Sequence, residues 1–137
     1  MRPMSMSLSA ILVVDDDATL ASEVAEFLRR RGFEVVDVHS GVAAVACLET
    51  RDFAAVFSDI DMPGHPNGIG LAHWVRERRP ATRMILTSGA YPWICADSPI
   101  AGVPFLAKPA DLDRLVALLR EVVQARPDAG PAARPVQ

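Results

Sequence analysis

At 137 residues, half of them apolar and 23% charged, the chain is long enough to bury one real core and has ordinary globular composition. A net charge of −3 argues against a broad electrostatic surface for nucleic acid or an anionic membrane. No apolar run approaches the length of a membrane span, and the opening MRPMSMSLSA lacks an export-type apolar region, so a cytoplasmic protein is expected.

In chain order, residues 1–9 read as a loose N-terminus, followed by a folded unit over 10–124. The first predicted strand, around ILVV, runs straight into Asp15, Asp16 and Asp17. Residues 18–31 then place Leu20, Val24, Phe27 and Leu28 at helical spacing, with Gly32 as the stop. FEVVDVHS is rich in β-branched residues and reads as a second strand. GVAAVACLETRDF reads as a helix with Val42, Val45, Ala46, Cys47 and Leu48 on its apolar side. AAVFSDI is a continuously apolar strand that again ends in acids, Asp59 and Asp61, before the turn-rich DMPGHPNGIG.

A helix from about Ile69 to Arg79 is stopped by Pro80, and RMILTS and PFLA form the fourth and fifth strands. The last helix starts near Asp111, a suitable N-cap, and carries Leu112, Leu115, Val116, Leu119, Val122 and Val123. Residues 125–137, ARPDAGPAARPVQ, read as a disordered Pro- and Ala-rich tail. Cys47 and Cys95 form no CxxC pair and read as small buried hydrophobes; His39, His65 and His73 have no metal-ligand spacing.

Strands alternating with helices imply a parallel sheet covered on both faces, with ligands at the carboxyl ends of its strands. Those ends carry Asp15–Asp17 on the first strand, Asp59 and Asp61 on the third, Thr87 and Ser88 on the fourth, and Lys108 followed by Pro109 on the fifth. In a sheet of order 2-1-3-4-5 the first and third strands are neighbours, which crowds Asp15, Asp16 and Asp59 together. Two carboxylates about 4 Å apart repel by roughly 4 kcal/mol at an effective dielectric near 20. A hard cation such as Mg²⁺, which binds through one or two carboxylates plus phosphate and water, relieves this. The Lys108 ammonium and the Ser88 hydroxyl could then neutralise a phosphoryl group placed on a carboxylate, a known covalent nucleophile toward phosphorus.

ILVVDDD, AVFSDIDMPG, ILTSGA and FLAKP, in this order, closely resemble the receiver domain of two-component response regulators over about residues 10–124. The resemblance implies a flavodoxin-like doubly wound five-stranded parallel sheet of order 2-1-3-4-5 and mainly a signalling protein, with its standing as an enzyme left open; the short tail after the last helix leads us to expect a stand-alone receiver. Its chemistry would extend at most to self-phosphorylation from a donor and autodephosphorylation. It implies that Asp59 is the phosphoacceptor, with Mg²⁺ bound by the side chains of Asp16 and Asp59, by the Asp61 carbonyl, and through water by Asp15. Ser88 and Lys108 would contact the phosphoryl oxygens, Ser88 and Phe105 would form the switch, and the Lys108–Pro109 peptide would be cis. The implied partners are a sensor histidine kinase, a histidine phosphotransfer protein, or both. Asp17 matches no ligand position and is assigned to capping the helix.

Two features depart from the family pattern. The PGHPNG loop is one residue longer than the commoner form, which offsets Gly68. GAYPWICADSPIAGVP, where the family places its fourth helix, holds Pro92, Pro99, Pro104 and Gly102, so a shortened or irregular helix is expected there. RERR (Arg76–Arg79) reads as a solvated helix face, and the apolar stripe of the last helix as core, with a homodimer surface as the alternative. Two rival functions are a phosphorylation-independent pseudo-receiver and a small Mg²⁺-dependent aspartyl-phosphate phosphatase, suggested by the DxD in VFSDIDM. The DxD falls on the third strand rather than at the start of the chain, which weighs against the phosphatase.

Overall fold

The computed structural model describes residues 10–89 and 100–125. Five strands, β1 (Ala10–Val14), β2 (Glu34–Val38), β3 (Ala55–Asp59), β4 (Arg83–Ser88) and β5 (Phe105–Ala107), form one sheet of order β2-β1-β3-β4-β5. Every neighbouring pair is parallel. The described helices are α1 (Ala18–Arg30), α2 (Gly41–Thr50), α3 (Gly68–Arg78) and α4 (Leu112–Ala125). This is the flavodoxin-like architecture expected from the sequence. The segment for which a shortened helix was expected falls mainly on 90–99, outside the described residues, as do the two chain ends.

All five residues of β1 and all five of β3 are buried, which is why both read as unbroken apolar runs rather than alternating ones. Strand alternation divides them between two cores. Leu12, Val14, Val56 and Leu86 face Ala44 and Leu48 of α2 and Leu71 and Val75 of α3. Ile11, Val13, Phe57 and Ile85 face Val24 and Leu28 of α1 and Leu115 and Leu119 of α4. At roughly 1.5–3 kcal/mol for each fully buried aliphatic or Phe side chain, these two layers dominate what holds the sheet in place.

Side chains at the helix starts fix where the chain leaves the strand ends. Asp17 accepts the Leu20 N–H, as its assignment as a cap requires. Ser40 accepts the Ala43 N–H and Asn67 the Gly70 N–H. Asp111 accepts the N–H groups of Asp113 and Arg114. At the far end of α1 the Gly32 N–H reaches the Arg29 carbonyl and the Phe33 N–H the Leu28 carbonyl, with Gly32 at φ +96. Only a residue without Cβ takes that left-handed position cheaply.

The face of α2 differs from expectation. Gly41, Ala44 and Leu48 turn inward, whereas Val42 is 65% exposed. A Cβ on Gly41 would collide with the Pro66 carbonyl oxygen, so the loop before α3 packs directly on the start of α2 and leaves Val42 beside it at the surface.

Candidate functional site

Each acidic side chain is placed by the sheet. The ladder continues past β1 through the Asp15 N–H to the Val38 carbonyl at 3.2 Å. It continues past β3 through the Ile60 N–H to the Thr87 carbonyl at 2.9 Å. With β1 and β3 adjacent, Asp15, Asp16 and Asp59 converge, and ligand oxygens of all three lie within 4.8 Å of one another. Asp15 and Asp59 are each only 5% exposed, while Asp16 opens to solvent.

From the other side, the Lys108 N–H bonds to the Ser88 carbonyl at 3.0 Å, extending the β4–β5 pairing to the last residue before the cis Lys108–Pro109 peptide. The Lys108 Nζ donates to Asp15 Oδ2 at 3.0 Å and lies 3.5 Å from Asp59 Oδ2. Asp15 Oδ1 also accepts the Asp17 N–H at 2.9 Å, so the Asp15 carboxylate is held from two directions.

Three carboxylates gather beside one ammonium, and burial is what most affects the titration of Asp59. Burial, with the Asp15 charge adding to it, pushes its carboxyl from 3.8 up to about 6, against the opposing pull of Lys108. Burial works against the charge on Lys108, but its hydrogen bond to Asp15 and the neighbouring Asp59 outweigh that and raise it. Hard oxygen donors with surplus negative charge and one open side fit a divalent cation of the Mg²⁺ type.

Asp61 and Ser88 form a second part of the site. The Asp61 N–H donates to the Asp59 carboxylate, and the Asp61 carboxylate accepts the fully buried Ser88 hydroxyl at 2.8 Å. Thr87, one residue earlier, lines the opposite side of the sheet with Val13 and Phe57, and its buried Oγ1 has no hydrogen-bond partner among the described residues. Phe105 is half-buried against the α2–α3 core. Asp15, Asp16, Asp59 and Lys108 therefore meet directly, Ser88 joins through Asp61, and Phe105 lies in the adjoining core.

Two site features were not anticipated from sequence. The Asp61–Ser88 bond depends on the β3–β4 register, which pairs Asp59 with Thr87 and so sets Ser88 beyond it. Gly68 supports the acceptor's own backbone: its N–H bonds to the Ile60 carbonyl at 3.0 Å, and a Cβ there would strike the Asp59 carbonyl oxygen. The sequence marked Gly68 by its place at the end of the PGHPNG loop, with no sign of this packing.

Acids at adjacent strand ends, faced by a lysine from β5, are the arrangement of a phosphoacceptor receiver. The sequence matches the response regulator receiver domain over residues 11–120, and the chain belongs to that family. The acidic triad is typical of the receiver Mg²⁺ site. Membership places the chain in two-component signalling and implies, in general, a histidine kinase partner.

The transcriptional regulatory protein FixJ of Bradyrhizobium diazoefficiens is 33% identical over 122 residues, covering 87% of this chain but 59% of FixJ. The chain thus spans less than two thirds of that relative's length. The receiver domain of NtrX from Brucella abortus is 29% identical with a TM-score of 0.75, covering 84% of this chain and 98% of that one. The response regulator TrrA from Thermotoga maritima, solved in complex with Mg²⁺-BeF, is 24% identical with a TM-score of 0.74, covering 83% and 98%, and shares the fold. No helix among the described residues is long and apolar enough to cross a membrane.

Proposed function

We propose that Asp59 accepts a phosphoryl group from a phosphohistidine, on a sensor histidine kinase or a histidine phosphotransfer protein, and that the modified domain changes its protein contacts. The observation that carries this is the gathering of Asp15, Asp16 and Asp59 within 4.8 Å, with Lys108 Nζ 3.0 Å from Asp15 and 3.5 Å from Asp59. In the transfer an Asp59 carboxylate oxygen attacks phosphorus, the bond from phosphorus to the histidine nitrogen breaks, and the imidazole leaves with its electron pair. The Asp61 N–H fixes the Asp59 carboxylate, orienting it for attack. Lys108 approaches the transferred oxygens with a compact positive charge, and the Ser88 hydroxyl donates to them.

The Asp16 and Asp59 side chains and the Asp61 carbonyl would hold Mg²⁺, with Asp15 acting through water. The ion would supply neutralisation of the charge that builds on the phosphoryl oxygens. Once phosphorylated, Asp59 draws Ser88 and Lys108 inward. The consequence is a shift in a pre-existing equilibrium involving the end of β4 and the Phe105 ring. Phe105 has no hydroxyl, so its part in that shift rests on burial of the ring.

The test is fluorine NMR of beryllofluoride, a phosphoryl mimic, added with Mg²⁺. Wild-type protein is expected to give a bound signal that requires Mg²⁺ and is absent from Asp59→Asn. No bound signal in wild type, or an unchanged one in Asp59→Asn, would overturn the assignment and favour a pseudo-receiver.

A further inference from the structure

Asp61 touches both halves of the site: its N–H is on the Asp59 carboxylate, and its carboxylate takes the Ser88 hydroxyl at 2.8 Å. A serine hydroxyl has a single proton to donate. While that proton points at Asp61, it is not available to an oxygen on Asp59. We propose that Asp61 is a positioning residue that engages the Ser88 hydroxyl in the unphosphorylated protein, so that a phosphoryl group must win Ser88 from Asp61 before the domain switches. This rests on the phosphoacceptor reading of Asp59.

Three observations support it. Ser88 is fully buried, so its hydroxyl cannot turn to bulk water as a substitute partner. Asp61 is on the exposed side of the site, so water can reach it when Ser88 departs. The contact also crosses from the loop after β3 to the end of β4, and so ties the acceptor's strand to the strand that carries Ser88. A hydrogen bond to a charged acceptor is strong enough to bias the switch yet weak enough for a dianion to displace.

The test is a double-mutant cycle on beryllofluoride affinity in the presence of Mg²⁺. Asp61→Ala is expected to bind the mimic about tenfold more tightly than wild type, by the usual strength of such a bond. Removing a carboxylate also relieves repulsion toward an anion, so the second arm decides the cause. In a Ser88→Ala background the gain from Asp61→Ala should largely disappear. An equal gain in both backgrounds, or no gain in either, would overturn the proposal.

A carbon NMR measurement without metal or anion adds a readout independent of charge relief. Asp61→Ala should shift the Ser88 Cβ resonance, and Asp61→Asn, which keeps an acceptor oxygen, should shift it less. An unmoved Ser88 resonance would also overturn the proposal. Failure of wild type to bind the mimic counts against the phosphoacceptor reading, whereas wild-type binding with an additive cycle counts against the Asp61 role alone.

Discussion

Among the described residues, Asp59 carries an electrostatic cost of burial, and the cost has a definite sign. Its carboxyl titrates near about 6 in the folded chain instead of 3.8. A raised acid contributes stability that is fully present below the unfolded value and is lost as pH rises through the folded one. Metal-free protein should therefore lose stability between about pH 4 and 6.5, by up to about 3 kcal/mol. Asp59→Asn should flatten that stretch and be more stable than wild type at about pH 7.5. Urea unfolding in chelator across this range checks both, and equal stability of the two proteins would contradict the account. Lys108 is the opposite case, a built-in cation sharing carboxylates with any metal. Lys108→Met should bind Mg²⁺ several-fold more tightly, by isothermal titration, while losing the Ser88 and Phe105 NMR shifts that beryllofluoride induces in wild type. Weaker Mg²⁺ binding in that variant would show that Lys108 organises the carboxylates rather than competing for them.

Secondary-structure elements decide how the acids reach one another, and α3 is the one nearest the acceptor. Asn67→Ala removes a cap and should cost about 1 kcal/mol of stability with little effect on phosphorylation. Gly68→Ala, next to it, drives a methyl into the Asp59 carbonyl and should impair both. Measuring thermal unfolding and acceptor reactivity together separates the two, and equal reactivity would mean that Asp59 is indifferent to its backbone support. β1 and β3 were legible because fully buried strands leave continuous apolar runs, and the acids at their ends marked the site. The face of α2 was not legible, because GVAAVACL carries small or apolar residues on every side and gives periodicity nothing polar to orient by. Asp61 and Ser88 were each recognisable, but their bond follows from strand register, which the spacing of motifs does not encode.

For the molecule as a whole, the sheet serves as a rigid frame that places carboxylates from two strands and a lysine from a third into one small volume. A ligand that binds only this folded arrangement stabilises it in proportion to RT ln(1 + [L]/Kd). The melting temperature should therefore climb with Mg²⁺ concentration in wild type and stay flat in Asp16→Asn, whose carboxylate is the exposed member of the triad. A similar climb in that variant would place the ion elsewhere. The most direct test of the central claim is the intact mass of the protein after incubation with a small acyl-phosphate donor or a phosphorylated histidine kinase, with and without Mg²⁺. With Asp59 as the phosphoacceptor, a Mg²⁺-dependent gain of one phosphoryl group is expected, and Asp59→Asn abolishes it. A gain that survives in Asp59→Asn, or none from either donor, would contradict that role.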